Sequence, residues 1–383
     1  MNFLSPGYHP FVAPAAHASQ GYQNPEGAVL GPCVYCGMCA RWGCEMGAKA
    51  SPQTTLLPAL RPLKNFELRT HANVLRILVD KRTGRATGVL YADAQGRRVE
   101  QPAELVVLAS FVFNNTRLML LSGIGQAYAP ATGTGSVGRN VAYNTLTSVQ
   151  AFFDDRIFNV FMGAGAMGYT LDDFNADNFD HQGLGFVNGG HISVISGGSG
   201  PIGFRPTPPG VPRWGSAWKA AVAKYYNRTV NIAQHGGVLG YRSNHIDLDP
   251  TYRDAWGQPL ARMTFDWQPN ELKMADFLLA KSVDIAKAMG AVHVKPAALE
   301  RHYTITRYQT SHHSGGTPFG LDRRTSALNR YLQSWDVRNL FVVGASAFPH
   351  ASGNNPTATV GALTYWAARA LVNDYLPRPR MLA

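Results

Sequence analysis

The run Val337-Arg338-Asn339-Leu340-Phe341-Val342-Val343 ends at Gly344-Ala345, and shortly after it Asn354-Asn355-Pro356 opens an apolar-faced stretch from Thr357 to Tyr375. A short, continuous apolar run reads as a strand buried on both faces, the environment of a parallel sheet covered by helices. Proline suits the first turn of a helix, because its φ is already helical and its missing N–H would have no partner there. A buried strand, a glycine turn and a long helix therefore impose α/β layering on this end of the chain.

A second unit of this kind lies upstream. Phe66–Thr70 and Asn73–Val79 read as strands, Arg82–Gly88 as a turn before Val89–Ala92, and Asp93–Gly96 as a turn before Val99, which makes a small antiparallel meander. The apolar strand Glu104–Ala109 follows, and Asn114 or Asn115 is the expected cap of a helix that contains Arg117–Leu121 and stops at Ser122-Gly123. Between 141 and 270, short strand candidates alternate with Gly, Pro and Asn stretches such as Gly197–Pro201 and Pro206–Pro212. That pattern suits a sheet with irregular excursions rather than repeated βαβ units. Asn270–Met289 has helical periodicity with Gly290 as its stop, and Thr304–Tyr308 begins a segment leading to a His/Gly cluster. The expected class is α/β with an α+β portion in the middle.

Composition narrows the partners. Charged residues make up 15% of the chain while glycines and prolines number 39 and 24, which excludes an extended coiled coil and a charged disordered chain. The net charge of +11 is spread without a lysine-rich tract, zinc finger or RNA-binding aromatic motif, so nucleic acid is not an expected partner. The apolar stretches Leu105–Phe113 and Leu340–Val343 fall well short of the roughly 20 residues that span a bilayer. The first residues lack a basic segment followed by an apolar core, so neither a direct transmembrane anchor nor an export signal is expected.

All four cysteines lie in one segment, as Cys33, Cys36, Cys39 and Cys44. The C-x2-C-x2-C-x4-C spacing is too compact to staple a chain of this size, and it suits thiolates converging on an iron–sulfur cluster. Structural zinc, which more often uses two separated pairs, and ordinary thiols remain the alternatives. Spacing alone does not separate three ligands from four.

Ser311-His312-His313-Ser314-Gly315-Gly316-Thr317 joins a titratable pair to glycines that allow close backbone approach. Asn354-Asn355-Pro356-Thr357 follows the strand–glycine turn at Val343-Gly344, where an α/β sheet presents its ligands. A neutral histidine can take a proton from an alcohol, and an asparagine can bind the same oxygen without competing for that proton. Ordinary turn and capping roles are the plainer alternative.

These residues carry a resemblance. The order of His-x-x-Gly-Gly at His312–Gly316, the strand ending Val342-Val343-Gly344-Ala345-Ser346 with Phe348-Pro349, Gly-x-Asn-Pro-Thr at Gly353–Thr357 and the final helix resembles the glucose-methanol-choline (GMC) oxidoreductases. Asn73-Val74 with Ala86–Val89, Leu105–Ala109, Leu120–Gly125 and Gly135–Asn140 resembles that family's flavin-domain segment. Within the family, the cysteine segment followed by Gly47–Ser51 most resembles the large flavoprotein subunits of gluconate 2-dehydrogenase type.

The resemblance implies an FAD-dependent dehydrogenase that oxidises a CH–OH group of a sugar acid or polyol. It also implies an iron–sulfur relay of the three-iron type (3Fe-4S), a small accessory subunit, a membrane-bound cytochrome c subunit, and work at the periplasmic face of the inner membrane. By motif, His312 is the expected base with His313 as its register alternative, and Asn355 the oxygen-binding partner. Gly344, Ala345, Asn355, Pro356 and Thr357 fall where the family lines the flavin, and Val74 where it touches the adenosine end; packing for Val74, strand-end geometry for Gly344 and capping for Thr357 are the plainer readings.

The expected organisation is an arm and cysteine segment at 1–64, part of an FAD-binding domain at 65–140, a mainly substrate-binding portion at 141–310 and a C-terminal flavin and active-site segment at 311–383. No Gly-x-Gly-x-x-Gly opens a first βαβ unit, and the glycines at 133, 135 and 138 lack the flanking strand and long helix such a cradle needs. The expected fold is therefore GMC-like but with an N-terminally truncated FAD-binding fold. An inactive fragment that does not bind FAD is the alternative function.

Overall fold

The computed structural model describes residues 7–39, 42–158, 168–195, 203–306 and 311–382. The stretch Gly197–Pro201 lies outside them, as do residues 307–310, where the segment starting at Thr304 was expected to continue. The chain forms two compact units, each assembled from separate stretches of sequence.

One unit comprises Arg69–Thr145, Gly237–Glu271 and Glu300–Ala383. The expected meander is present as Asn73–Asp80, Arg85–Ala92 and Arg98–Pro102, paired antiparallel in sequence order. Phe66–Thr70 is not a strand; Leu68 is exposed, so the alternation there has no core to face. Val106–Leu108 pairs in parallel with Leu340–Val342, Leu340 opposite Val106 and Val342 opposite Leu108. Leu108, Leu340 and Val342 join Leu118, Met119, Leu328 and Ala347 in one buried core, each large side chain contributing about 1.5–3 kcal/mol by leaving water.

The helix after the first of these strands spans Phe111–Leu121, so Asn114 and Asn115 lie inside it rather than at its cap. Ser110 occupies the cap position without a side-chain bond. Asn115, fully buried, reaches back instead: its Oδ1 accepts the Ser110 N–H at 2.7 Å and its amide donates to Val343 O and Ser346 Oγ at 3.0 and 2.9 Å. One asparagine thus fastens the start of this helix to the end of the neighbouring strand. The final helix, Thr357–Ala370, begins directly after Pro356 and continues as a wider turn through Leu371–Tyr375.

The other unit comprises Met1–Leu68, Leu146–Gly236 and Leu272–Leu299. Its sheet runs in the order Phe11–Val12, Gly168–Leu171, Gly190–Ile195, Thr229–Gly236, Thr145–Phe152, His293–Ala297. The irregular middle of the sequence thus builds a sheet without βαβ repeats. Ile192 and Val194, Val230 and Ile232, and Val149 and Ala151 repeat with period two on the face that meets Met274, Leu278, Ile285 and Ala286 of the helix Pro269–Ala288. The arm contributes the edge strand Phe11–Val12 and a small hairpin, Tyr22–Gln23 with Val29–Leu30. Among the described residues, no helix is long and apolar enough to cross a membrane.

Candidate active site

The two glycines after His313 are fixed by close backbone approach. A Cβ on Gly315 would sit 1.9 Å from Asn140 O, and one on Gly316 would sit 2.3 Å from Thr116 Oγ1; both residues have positive φ, at 82° and 94°. Glycine is required there on both counts. The segment then runs beside the strand-end turn, with Gly315, Thr317 and Phe319 N–H groups donating to the carbonyls of Ala345, Ser346 and Ala347. The same glycines that let the chain pass the helix Phe111–Leu121 thereby hold the histidine pair next to Gly344–Ala347.

His312 and Asn355 come together: Asn355 Nδ2 lies 3.3 Å from His312 Nε2. With the amide nitrogen as donor, Nε2 is the acceptor and carries the lone pair a base needs. Asn355 is exposed and His312 half-buried, so an incoming hydroxyl can reach both. The chain just ahead of Asn355 is anchored by Asn144 Nδ2, which donates to Ser352 O at 2.6 Å, and by the bridge between Val238 and Ala351.

His313 has a different setting. It pairs across the ladder with Tyr143, stacks on that ring at 4.3 Å and meets Phe113 edge-on at 5.0 Å. It is buried, and burial together with the charge of His312 pushes its pKa down from 6.5 to about 4. An imidazole packed among aromatic rings stays neutral, so the two adjacent histidines have different surroundings.

Gly344 has φ 103° and nothing within 4 Å of the position a Cβ would take, which leaves an open flank at the strand end. Ala345 is half-buried and its carbonyl accepts the Gly315 N–H. Pro356 sits at the cap of the helix Thr357–Ala370 without a side-chain cap bond, and Thr357 is exposed, so the first N–H groups of that helix are available. Ser314 Oγ and Thr317 Oγ1 are buried without a hydrogen-bond partner. An open glycine, an uncapped helix start and orphaned hydroxyls fit a bound flavin. Val74 is half-buried opposite Tyr91 and packs against the core that holds Val342 and Ala347.

The glycines at 133, 135 and 138 do not open a helix; the chain passes into the short strand Ala142–Tyr143. A Cβ on Gly135 would meet Ala127 O at 2.1 Å and one on Gly138 would meet Ile246 O at 2.2 Å, so these two serve close packing.

The cysteine expectation meets a different geometry. Cys33, Cys36, Cys39 and Cys44 are free thiols, and among the described residues no three His, Cys, Asp or Glu side chains are grouped to hold a metal. The described part of the segment therefore lends the iron–sulfur expectation no support of its own. The pKa of Cys44 is lowered first by the Lys49 N–H, with burial opposing and the N–H groups of Ala48, Met46 and Gly47 assisting.

Several positioning residues escape motif reasoning. Asn115 reads as a cap, whereas Asn144 and Tyr143 carry no motif at all; their roles arise only when the strand ends meet.

Two models of the GMC oxidoreductase family match the chain, the N-terminal one over residues 12–145 and the C-terminal one over residues 241–364. Together they cover about two thirds of the sequence, and the chain belongs to the GMC oxidoreductases, a family of FAD-dependent enzymes. The expectation of an N-terminally truncated fold is thereby overturned. It tied the N-terminal portion to a glycine-rich opening, whereas the matched region consists of the arm, the cysteine segment, the meander and the first strand–helix unit. Among similar proteins, the gluconate 2-dehydrogenase flavoprotein of Pantoea cypripedii is 52% identical over 98% of this chain and 62% of its own length. The 2-methyl-1,2-propanediol dehydrogenase of Mycolicibacterium austroafricanum is 29% identical over 88% of this chain and 58% of its own. The chain thus spans under two thirds of these relatives. Pyridoxine 4-oxidase from Mesorbium loti shares the fold, with a TM-score of 0.57 and 14% identity over 85% of this chain and 62% of that one.

Proposed function

We propose that the chain is the flavoprotein of a dehydrogenase that oxidises a CH–OH carbon of a sugar acid or polyol, with gluconate-type acids the leading substrates. The observation that carries this reading is the His312–Asn355 pair, 3.3 Å apart beside the open flank of Gly344. His312 Nε2 takes the hydroxyl proton, and the carbon–oxygen single bond becomes a carbonyl as its C–H hydrogen leaves with the electron pair. FAD, when bound, supplies the acceptor for that hydride. Asn355 donates its amide N–H to the substrate oxygen and stabilises the alkoxide character that develops there. His313, neutral and stacked on Tyr143, keeps the backbone of His312 in register.

The resemblance and the 52% identical flavoprotein favour a sugar acid over a neutral polyol. For electron exit, the spacing of Cys33, Cys36, Cys39 and Cys44 supports a three-iron centre that the segment would have to close around. A small accessory subunit and a membrane-bound cytochrome c subunit at the periplasmic face of the inner membrane would then receive the electrons. Iron and acid-labile sulfide in an anaerobic preparation test the centre, and one equivalent of zinc without iron would remove it. The main reading is tested by turnover of gluconate and a polyol panel with an artificial acceptor. A carbonyl product, and slowing by deuterium on the reacting carbon, are expected; full FAD loading without turnover of any member would count against it.

A further inference from the structure

Where Arg117 is drawn inside the fold, Asp254 answers it at 2.6 Å. Glu271, in the first turn of the helix Pro269–Ala288, has no such answer: it is fully buried, and among the described residues no cation pairs with it. Its two oxygens are used unequally. Oε1 accepts the Leu239 N–H at 3.3 Å, the Tyr241 hydroxyl at 3.1 Å and the Asn270 amide at 3.1 Å, whereas Oε2 is buried without a hydrogen bond. A glutamate in a first turn ordinarily serves the positive end of the helix dipole, a role that asks for neither burial nor bonds to another segment. Two of the three donors here come from residues 239 and 241 instead.

Those two residues are the ends of a tight turn, closed by the Tyr241 N–H donating to Leu239 O at 3.1 Å. One carboxylate oxygen therefore grips both ends of it. The turn lies against the chain that leads to the candidate site. Val238 and Ala351 each donate an N–H to the other's carbonyl at 2.9 Å, and a Cβ on Gly240, at the middle of the turn, would lie 2.2 Å from Pro349 O. Asn355 follows shortly after Ala351, and its Nδ2 stands 3.3 Å from His312 Nε2. All of these residues belong to the same compact unit.

We propose that Glu271 is a positioning residue for Asn355: its buried carboxyl pins the turn Leu239–Tyr241, on which Pro349–Ala351 rests, and so sets where the Asn355 amide stands against His312. The inference rests on the dehydrogenase reading for the chemical use of that placement, but the placement is measurable without turnover. Hydrogen–deuterium exchange of the full chain, followed by mass spectrometry, reads it. In Glu271→Leu, peptides covering 349–356 should exchange about tenfold or more faster than in the wild type while the meander at 73–102 is unchanged. Glu271→Gln keeps an acceptor oxygen for the same donors and should recover most of that protection. Tyr241→Phe removes one donor and leaves the carboxyl in place; it should raise exchange at 349–356 to a smaller extent, and it carries the test if Glu271→Leu does not fold. Flavin reduction by gluconate reads the consequence: its limiting rate should fall about tenfold in Glu271→Leu, recover in Glu271→Gln, and show no further loss when Glu271→Leu is added to Asn355→Ala. Unchanged exchange at 349–356 in the folded variants, exchange raised equally across the meander, or additive rate losses in the double variant would overturn the proposal. If the FAD-loaded wild type is reduced by no substrate, the dehydrogenase reading fails, and exchange alone decides whether Glu271 holds this segment.

Discussion

The two adjacent histidines show how far one residue step changes chemistry. His312 faces Asn355 across 3.3 Å, and His313 is sealed between Tyr143 and Phe113. Replacing His312 by Ala is expected to slow substrate-dependent flavin reduction by roughly 10²-fold or more while FAD content holds, and stopped-flow reduction measures it. His313 makes a stability prediction instead. Its pKa near 4 when folded lies below the ordinary 6.5, so the unfolded chain binds the extra proton first as pH falls. Its stabilising effect is therefore full above pH 6.5 and is lost as pH drops toward 4, amounting to roughly 3 kcal/mol across that window. In His313→Phe, urea midpoints between pH 6.5 and 4 should fall less steeply than in the wild type; parallel profiles would contradict the assignment. The sequence named His312 through His-x-x-Gly-Gly with His313 as the register alternative; the contrast in their surroundings was not legible, because it depends on a Tyr143 brought in by strand pairing.

Among the elements, the strand–helix units were legible wherever one apolar run met a glycine or proline. Leu340–Val342 and the helix from Thr357 follow the pattern read from Val337–Val343 and Pro356. Phe66–Thr70 alternated equally well and forms no strand, since alternation records a face without recording whether a core lies against it. Asn115 illegibly joins three elements through one amide. Asn115→Ala leaves the Ser110 N–H and Val343 O without those bonds and is expected to cost about 1–2 kcal/mol, read from urea denaturation. Gly315→Ala is expected to be harsher, because a Cβ would overlap Asn140 O at a positive φ; loss of soluble folded protein, followed by circular dichroism, is the outcome.

For the whole molecule, the family could be read from ordered motifs, whereas the interleaving of segments could not. The unit holding His312 draws on Arg69–Thr145, Gly237–Glu271 and Glu300–Ala383, and only tertiary pairing reveals that. The glycine-cradle argument failed for a related reason: it asked one motif to stand for a region that the family match carries across residues 12–145. The cysteine segment marks the opposite limit, where a dense motif is plain in the sequence and, among the described residues, no grouped metal-ligand set answers it. The central claim is that the His312–Asn355 pair removes a proton from an alcohol whose hydride passes to FAD. Anaerobic mixing of the FAD-loaded chain with gluconate, monitored by flavin absorbance, tests it most directly. Bleaching is expected in the wild type, slowed about 10²-fold or more in His312→Ala, with an intermediate loss in Asn355→Ala at equal FAD content. Equal bleaching rates in all three proteins would contradict it.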